Sequence, residues 1–158
     1  MNVRHLLIDT HPHLTPVATL AELSPADAVR RVPHAHHSIA EIVAHMTYWQ
    51  AWFIARCKGQ AEPMASTAAI GWPTVRQDDW PALAGRFVAG LGLLEVAVSS
   101  HSLETLVTPT IEAPMMAAYS YRDVCEHVAL HNAHHLGQVV LLRQMMDAWP
   151  PPAGSYTW

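Results

Sequence analysis

The sequence predicts an all-α fold, a four-helix bundle with long connections between its helices. Four stretches have apolar residues at the three- and four-residue spacing of an amphipathic helix, and none shows the two-residue alternation of a strand. The chain has 158 residues, of which 51% are hydrophobic and 14% charged, so it is long enough to bury one core. We therefore expect residues 1–158 to form a single domain of packed helices.

The first helical stretch runs from about Val3 to Leu23, and Pro12 and Pro16 interrupt it. Because proline lacks a backbone N–H and clashes with the preceding turn, we expect a kink or a break in this helix. The segment Ser24–Asp27 has the sequence of a helix cap with proline at the first helical position. It predicts a short helical turn.

Clear end signals bound the second and third helices. Ser38 and Glu41 have the spacing of a capping box, in which each side chain accepts a hydrogen bond from the other residue's backbone N–H. A glycine after Lys58 suits the end of this second helix. The third helix is expected from near Asp79 to about Ser100, with an apolar stripe and several glycines that only packing can offset.

The fourth helix is predicted to begin after Ser120 and to run to about Asp147. The connections 60–77 and 102–119 contain proline and have no helical period, and the proline-rich tail from Pro150 cannot be helical. Connections of this length in compact domains are usually functional or mobile. We therefore expect both connections and the tail to contact the substrate.

Four histidines fall within nine positions of the fourth helix: His127, His131, His134 and His135. At 100° per residue, His131 and His135 lie inside the apolar stripe, whereas His127 lies on its flank and His134 further round. Two histidines four residues apart share a helix face and can bind one metal ion. His127 and His135 are roughly 12 Å apart along the axis, too far to share an ion easily.

A third ligand is expected from another helix, and His45 borders the apolar stripe of the second helix. Taken alone, His45 could equally be a core histidine bonded to backbone. The spaced pair could also arise by chance in a chain with 12 histidines. An inward pair together with an inward third histidine favours a metal site made by His45, His131 and His135.

Two further polar residues have two interpretations each. Gln138, one turn beyond His135, is either an outer contact of a metal ligand or a polar residue at the edge of the stripe. Glu41, one turn before His45, is either a base or only a capping carboxylate. The histidines without a partner pattern are expected at the surface: His5, His11, His13, His34, His36, His37 and His101.

Composition makes several classes of protein improbable. The formal net charge is −4 and the basic residues are scattered, so we expect no nucleic-acid partner. We expect no membrane span, because no apolar run approaches about 18 residues, and the N-terminus does not resemble a signal peptide. Cys57 and Cys125 form no close pair and are most simply reduced thiols, which favours the cytoplasm.

Two segments resemble the DinB/YfiT-like superfamily of metalloenzymes. They are residues 37–49, HSIAEIVAHMTYW, and residues 131–138, HNAHHLGQ. The resemblance implies a four-helix bundle in which His45, His131 and His135 bind a divalent metal, and it implies frequent homodimerisation. Members include transferases that use low-molecular-weight thiols such as bacillithiol or mycothiol, and a maleylpyruvate isomerase. The prolines of the first helix depart from the family pattern.

Three neutral imidazoles leave a divalent ion its full charge and open positions, which is typical of a catalytic site. Zinc is expected first, and nickel, iron, cobalt and manganese accept the same ligands. We expect a metal-dependent enzyme acting on a small molecule, either a thiol-dependent S-transferase or a hydrolase, with a low-molecular-weight thiol as a possible cosubstrate. One alternative is a non-catalytic bundle that binds metal for stability, sensing or a stress-related role. Another is a dimer with a vestigial site.

Overall fold

The computed structural model describes residues 6–8, 14–109, 116, 118–152 and 154–155. Among these residues the chain is helical and contains no strand, which confirms the all-α class. The helices are α1 (Pro16–Leu20), α2 (Pro25–Val29), α3 (Ile39–Cys57), α4 (Trp80–Ser99) and α5 (Tyr121–Met145). Two 3₁₀ turns, Ala68–Gly71 and Gln77–Asp79, lie in the connection between α3 and α4.

Within the predicted stretch Val3–Leu23, the described residues form one α-helix, α1, which is five residues long. The predicted break at Pro16 is confirmed: α1 begins there, capped by the Thr15 side chain, and ends at Leu20. Helix α2 begins at Pro25 and is capped by a serine, as its sequence predicted. Proline at the first helical position begins a helix and does not continue one, so Pro16 and Pro25 mark the starts of two separate helices. Pro12 lies outside the described residues.

Capping boxes hold the N-termini of both helices that contain the candidate histidines. At α3, the backbone N–H of Ser38 donates to Glu41 over 2.8 Å, and the Glu41 N–H donates back to the serine hydroxyl over 3.3 Å. Ser120 and Asp123 form the same arrangement at α5, with distances of 2.7 and 3.2 Å. Because each box fixes where its helix begins, it also fixes which residues face inward.

Helix α3 packs against both α4 and α5, and two clusters of buried apolar side chains fill the space between them. The first cluster joins the N-terminal halves of α3 and α4 to the C-terminal half of α5. The second joins the C-terminal ends of α3 and α4 to the N-terminal half of α5. Helix α5 therefore runs antiparallel to the other two. Helices α1 and α2 cover the side where one long helix was expected, since α1 contacts α4 and α5 and α2 contacts α3 and α4.

One described segment, Gln77–Ser99, is long and apolar enough to cross a membrane by length and composition, with a mean hydropathy of 1.5. No apolar stretch of this length was expected from the sequence. Its inner face contributes Phe87 and Leu94 to the core, and both side chains are fully buried. Its outer face is apolar as well, because Leu93 is 52% exposed and Val96 is 61% exposed.

Arg56 attaches the connection between α4 and α5 to the end of α3. Its guanidinium is fully buried and donates from Nε to the Thr108 carbonyl and from Nη2 to the Met116 carbonyl, each over 2.7 Å. It also lies 4.6 Å from the centre of the Trp52 ring, close enough for a cation–π interaction. The charge is thus stabilised by carbonyl oxygens and an aromatic face.

Replacing Arg56 with methionine should lower the free energy of unfolding by about 3 kcal/mol, because two partly buried carbonyl groups lose a charged donor. Urea unfolding measures this change. The control is Arg86→Met on the exposed side of α4, which should change stability by less than about 0.5 kcal/mol. Equal losses in the two variants would show that Arg56 does not attach the connection.

Candidate metal centre

Three histidines converge between α3 and α5: His45, His131 and His135. One ring nitrogen from each lies within 4.8 Å of the other two. The Nε2 atoms of His45 and His131 are 3.1 Å apart. Two nitrogens bound tetrahedrally to one ion, each at about 2.0–2.1 Å, would lie roughly 3.3 Å apart. The chemistry and spacing of this set therefore suit a divalent metal ion.

The outer nitrogens of two of these rings have acceptors that define their tautomers. The Nδ1–H of His45 donates to the Gly71 carbonyl over 2.6 Å, since a carbonyl oxygen can only accept. The Nδ1 of His135 lies 2.7 Å from the side-chain oxygen of Gln138. Both contacts leave the Nε2 lone pair free on the side that faces the cluster, which is the form that binds a metal.

The short contact between His45 and His131 also defines a proton position. The Nε2 of His45 has a lone pair, because its proton is on Nδ1. Two lone pairs 3.1 Å apart would repel each other, so without an ion His131 must donate its own Nε2–H to His45. Metal binding at this set would replace that proton.

The connection 60–77 covers His45 with Trp72. The Trp72 ring stacks between His45 and His37, and each pair of ring centres is 3.8 Å apart with planes 9° apart. Gly71 fits beside Trp49, whose indole would lie 3.4 Å from an added Cβ atom. The connection 60–77 thus reaches the candidate site. The connection 102–119 comes close to it, because Tyr119 contacts His127, one helical turn before His131.

The surface prediction holds in part for His37, whose side chain is 35% exposed and whose ring packs on Trp72. It is confirmed for His34 and His36, which are exposed. His101 is also exposed, and it stacks on Tyr121. The predictions for His5, His11 and His13 concern residues outside the described ranges.

The remaining histidines of α5 lie outside the converging set, as their facing predicted. His127 is half-buried, and its Nδ1 lies 3.1 Å from the Tyr119 hydroxyl. His134 is exposed, and its Nε2 lies 3.2 Å from the Gln138 side-chain nitrogen. Gln138 therefore contacts a candidate ligand on one side and an exposed histidine on the other.

The carboxylate of Glu41, the predicted base, is engaged in other contacts. One carboxylate oxygen accepts the Ser38 N–H, and the other lies 2.7 Å from the Arg31 guanidinium. The Glu41 carboxylate also lies 4.0 Å from His37. These contacts support its capping interpretation.

Burial lowers the pKa of each histidine in the set. Desolvation is the largest cause for all three, and it brings the pKa of His131 to about 3. The neighbouring imidazoles contribute in the same direction, because each would repel a second positive charge. All three rings are therefore neutral near neutral pH, as metal ligation requires.

Sequence periodicity found the three histidines but not the residues that orient His45. Gly71 and Trp72 lie in a connection that has no period, and no residue pattern there indicates which carbonyl or ring will meet a helix. The sequence left two interpretations of Gln138 open, an outer contact of a metal ligand or a polar residue at the edge of the apolar stripe. Its contact with His135 favours the first.

Residues 10–148 match the family described as mycothiol-S-transferase. The chain belongs to this family. The family is part of the DinB/YfiT-like superfamily, so the resemblance noted from the two histidine segments is confirmed. The match includes all three converging histidines, and the family acts on a small-molecule thiol. No curated protein and no solved structure matched the chain in the corresponding comparisons.

The metal-free protein should lose stability as the pH falls below about 6.5. Unfolded His131 takes up a proton near 6.5, whereas folded His131 does so only at about 3. Between these values the unfolded state binds more protons, so acid favours unfolding. Urea unfolding with a chelator at about pH 7 and about pH 5 measures the slope. The variant His131→Gln should reduce the slope, to which His45 and His135 also contribute because their pKa values are lowered as well. An unchanged slope in His131→Gln would contradict this assignment.

Proposed function

We propose that this protein is a metal-dependent thiol S-transferase in which His45, His131 and His135 hold a divalent ion. The observation that supports it best is the convergence of three neutral imidazoles, two of which have their outer nitrogens bonded to acceptors. Zinc is the first candidate, and nickel, iron, cobalt and manganese accept the same ligands. The family match supports mycothiol, or a thiol like it, as cosubstrate.

In the proposed reaction the thiol sulfur forms a bond to an electrophilic carbon of a second small molecule. The bond from that carbon to its leaving group breaks, and the leaving group and the thiol proton are released. When bound, a divalent ion would favour the thiolate form of the cosubstrate by stabilising its negative charge. The protein's own contribution is to hold the three rings neutral and fixed. The Gly71 carbonyl and the Gln138 side chain orient two of the rings, and Trp72 covers one of them.

We also propose that the chain is a single cytoplasmic domain. The family match spans residues 10–148, which supports one domain. Cys57 and Cys125 are both buried, and no disulfide joins them. Burial raises the pKa of Cys57 to about 12, so this thiol is a poor nucleophile, which supports a cosubstrate as the source of the sulfur.

Protein purified without a histidine tag should contain about one divalent ion per chain, as elemental analysis would show. The variants His45→Ala, His131→Ala and His135→Ala should each bind metal roughly a hundredfold more weakly, because two imidazoles cannot complete the site. His101→Gln, remote from the set, should bind as the wild type does. Wild-type protein without stoichiometric metal would contradict the proposal and would favour a vestigial site.

Activity should depend on the same three residues. With mycothiol and an electrophilic chloroarene, the wild type should form the thioether, and each alanine variant should lose about a hundredfold in rate. Release of chloride from the chloroarene without any thiol would instead indicate a hydrolase. If a chelator lowers the melting temperature strongly and no activity is found with thiols, the metal is structural and the protein is a non-catalytic bundle.

We further propose a homodimer that uses the outer face of α4. Leu93 and Val96 are exposed there, and open space lies over Gly85 and Gly92, so another helix could approach closely. This face is apolar enough to gain from being covered.

The variant Val96→Arg should shift the protein from dimer to monomer in light-scattering measurements after size-exclusion chromatography, because a charge would be buried in the contact. Leu130→Arg on α5 is the matched control, since Leu130 is 72% exposed and lies on another helix. A dimer that survives Val96→Arg but not Leu130→Arg would show that α4 is not the interface.

A further inference from the structure

The outer partners of the candidate ligands differ in kind. His45 donates to a backbone carbonyl, which has only an acceptor to offer. His135 contacts the side-chain amide of Gln138, which offers oxygen in one orientation and nitrogen in the other. The tautomer of His135 therefore depends on how this amide is oriented.

The neighbours of Gln138 allow only one orientation that is compatible with metal binding. A free Nε2 lone pair on His135 requires a proton on Nδ1, and that proton needs the amide oxygen, 2.7 Å away. The amide NH₂ then faces His134, whose Nε2 lies 3.2 Å away and must accept. In the reversed orientation the amide would donate to Nδ1 of His135, and the ring would carry its proton on Nε2, inside the cluster.

We propose that Gln138 is the positioning residue that holds His135 in its metal-binding tautomer, and that His134 sets the direction of the Gln138 amide. All three residues lie on α5, where Gln138 follows His135 by three residues and His134 by four. The helix backbone therefore brings the three side chains together without help from an ion. Exposed His134 thus contributes to the site although it faces away from the cluster.

This inference rests on the proposed function for its consequence, metal binding, but its direct readout is the tautomer of His135. Protein containing ¹⁵N-labelled histidine reports by NMR which ring nitrogen has the proton, and it does so without metal. In the wild type His135 should be the Nδ1–H tautomer. Gln138→Leu, which removes the acceptor and keeps a similar size, should populate the Nε2–H form. The matched control is Gln144→Leu, at an exposed position of the same helix.

Zinc affinity, measured by competition with a chromophoric chelator, gives the second readout. Gln138→Leu should weaken zinc binding about tenfold to a hundredfold, the usual effect of losing an outer partner. Gln138→Glu retains an acceptor oxygen at the same reach, so it should keep both the tautomer and the affinity. His134→Phe should give a smaller loss, roughly twofold to fivefold, because the amide is then free to reverse.

The outcomes separate this inference from the proposed function. If Gln138→Leu leaves the His135 tautomer and the zinc affinity equal to those of Gln144→Leu, the positioning role is overturned. If His134→Phe changes neither readout, the role of His134 is overturned. A wild type that binds no zinc, but whose His135 tautomer changes in Gln138→Leu, would overturn the metal site and leave the positioning role in place.

Discussion

The arrangement of this molecule depends on three converging imidazoles, two of them buried and one partly buried, whose nitrogens lie close together. His45 and His135 are 8% and 6% exposed, and each has its outer nitrogen bonded to an oxygen acceptor. Buried polar atoms cost free energy unless they are paired, and three converging nitrogens cannot all pair with one another. A bound ion would give all three nitrogens a partner, and the surrounding residues hold the three rings in these positions.

Two features of the fold keep the rings in register. The capping boxes at Ser38 and Ser120 fix the start of α3 and α5, so a slip of one residue, which would turn the histidines away from each other, would break two hydrogen bonds at each end. The two clusters of buried apolar side chains lie on either side of His45, His131 and His135. The low polarity of these clusters keeps the three rings neutral, and it strengthens the interaction of the rings with any charge placed between them.

The spacing of apolar residues in the sequence predicted the helices and which of their residues face inward. It did not predict the contacts made by residues in the connections. Facing selected His45, His131 and His135, and end signals placed α3, α4 and α5 to within a few residues. For the first helical stretch the prolines predicted a kink or a break, and only the structure shows that a helix begins at Pro16. The contacts of Trp72 and Arg56 were missed for one shared reason, which is that each residue meets others far along the chain or in an aperiodic connection. Such a meeting depends on how the connection folds back over α3.

The outer contacts also bear on the kind of chemistry the site favours. Among the described residues, the partners of His45 and His135 are a carbonyl and an amide, both neutral, and the nearby carboxylate of Glu41 is held by Arg31 and a backbone N–H. Carboxylate partners would offset part of the charge of an ion. Neutral partners leave that charge available to an anionic ligand. A thiolate is such a ligand, so the neutral outer contacts are compatible with the thiol substrate that the family match indicates.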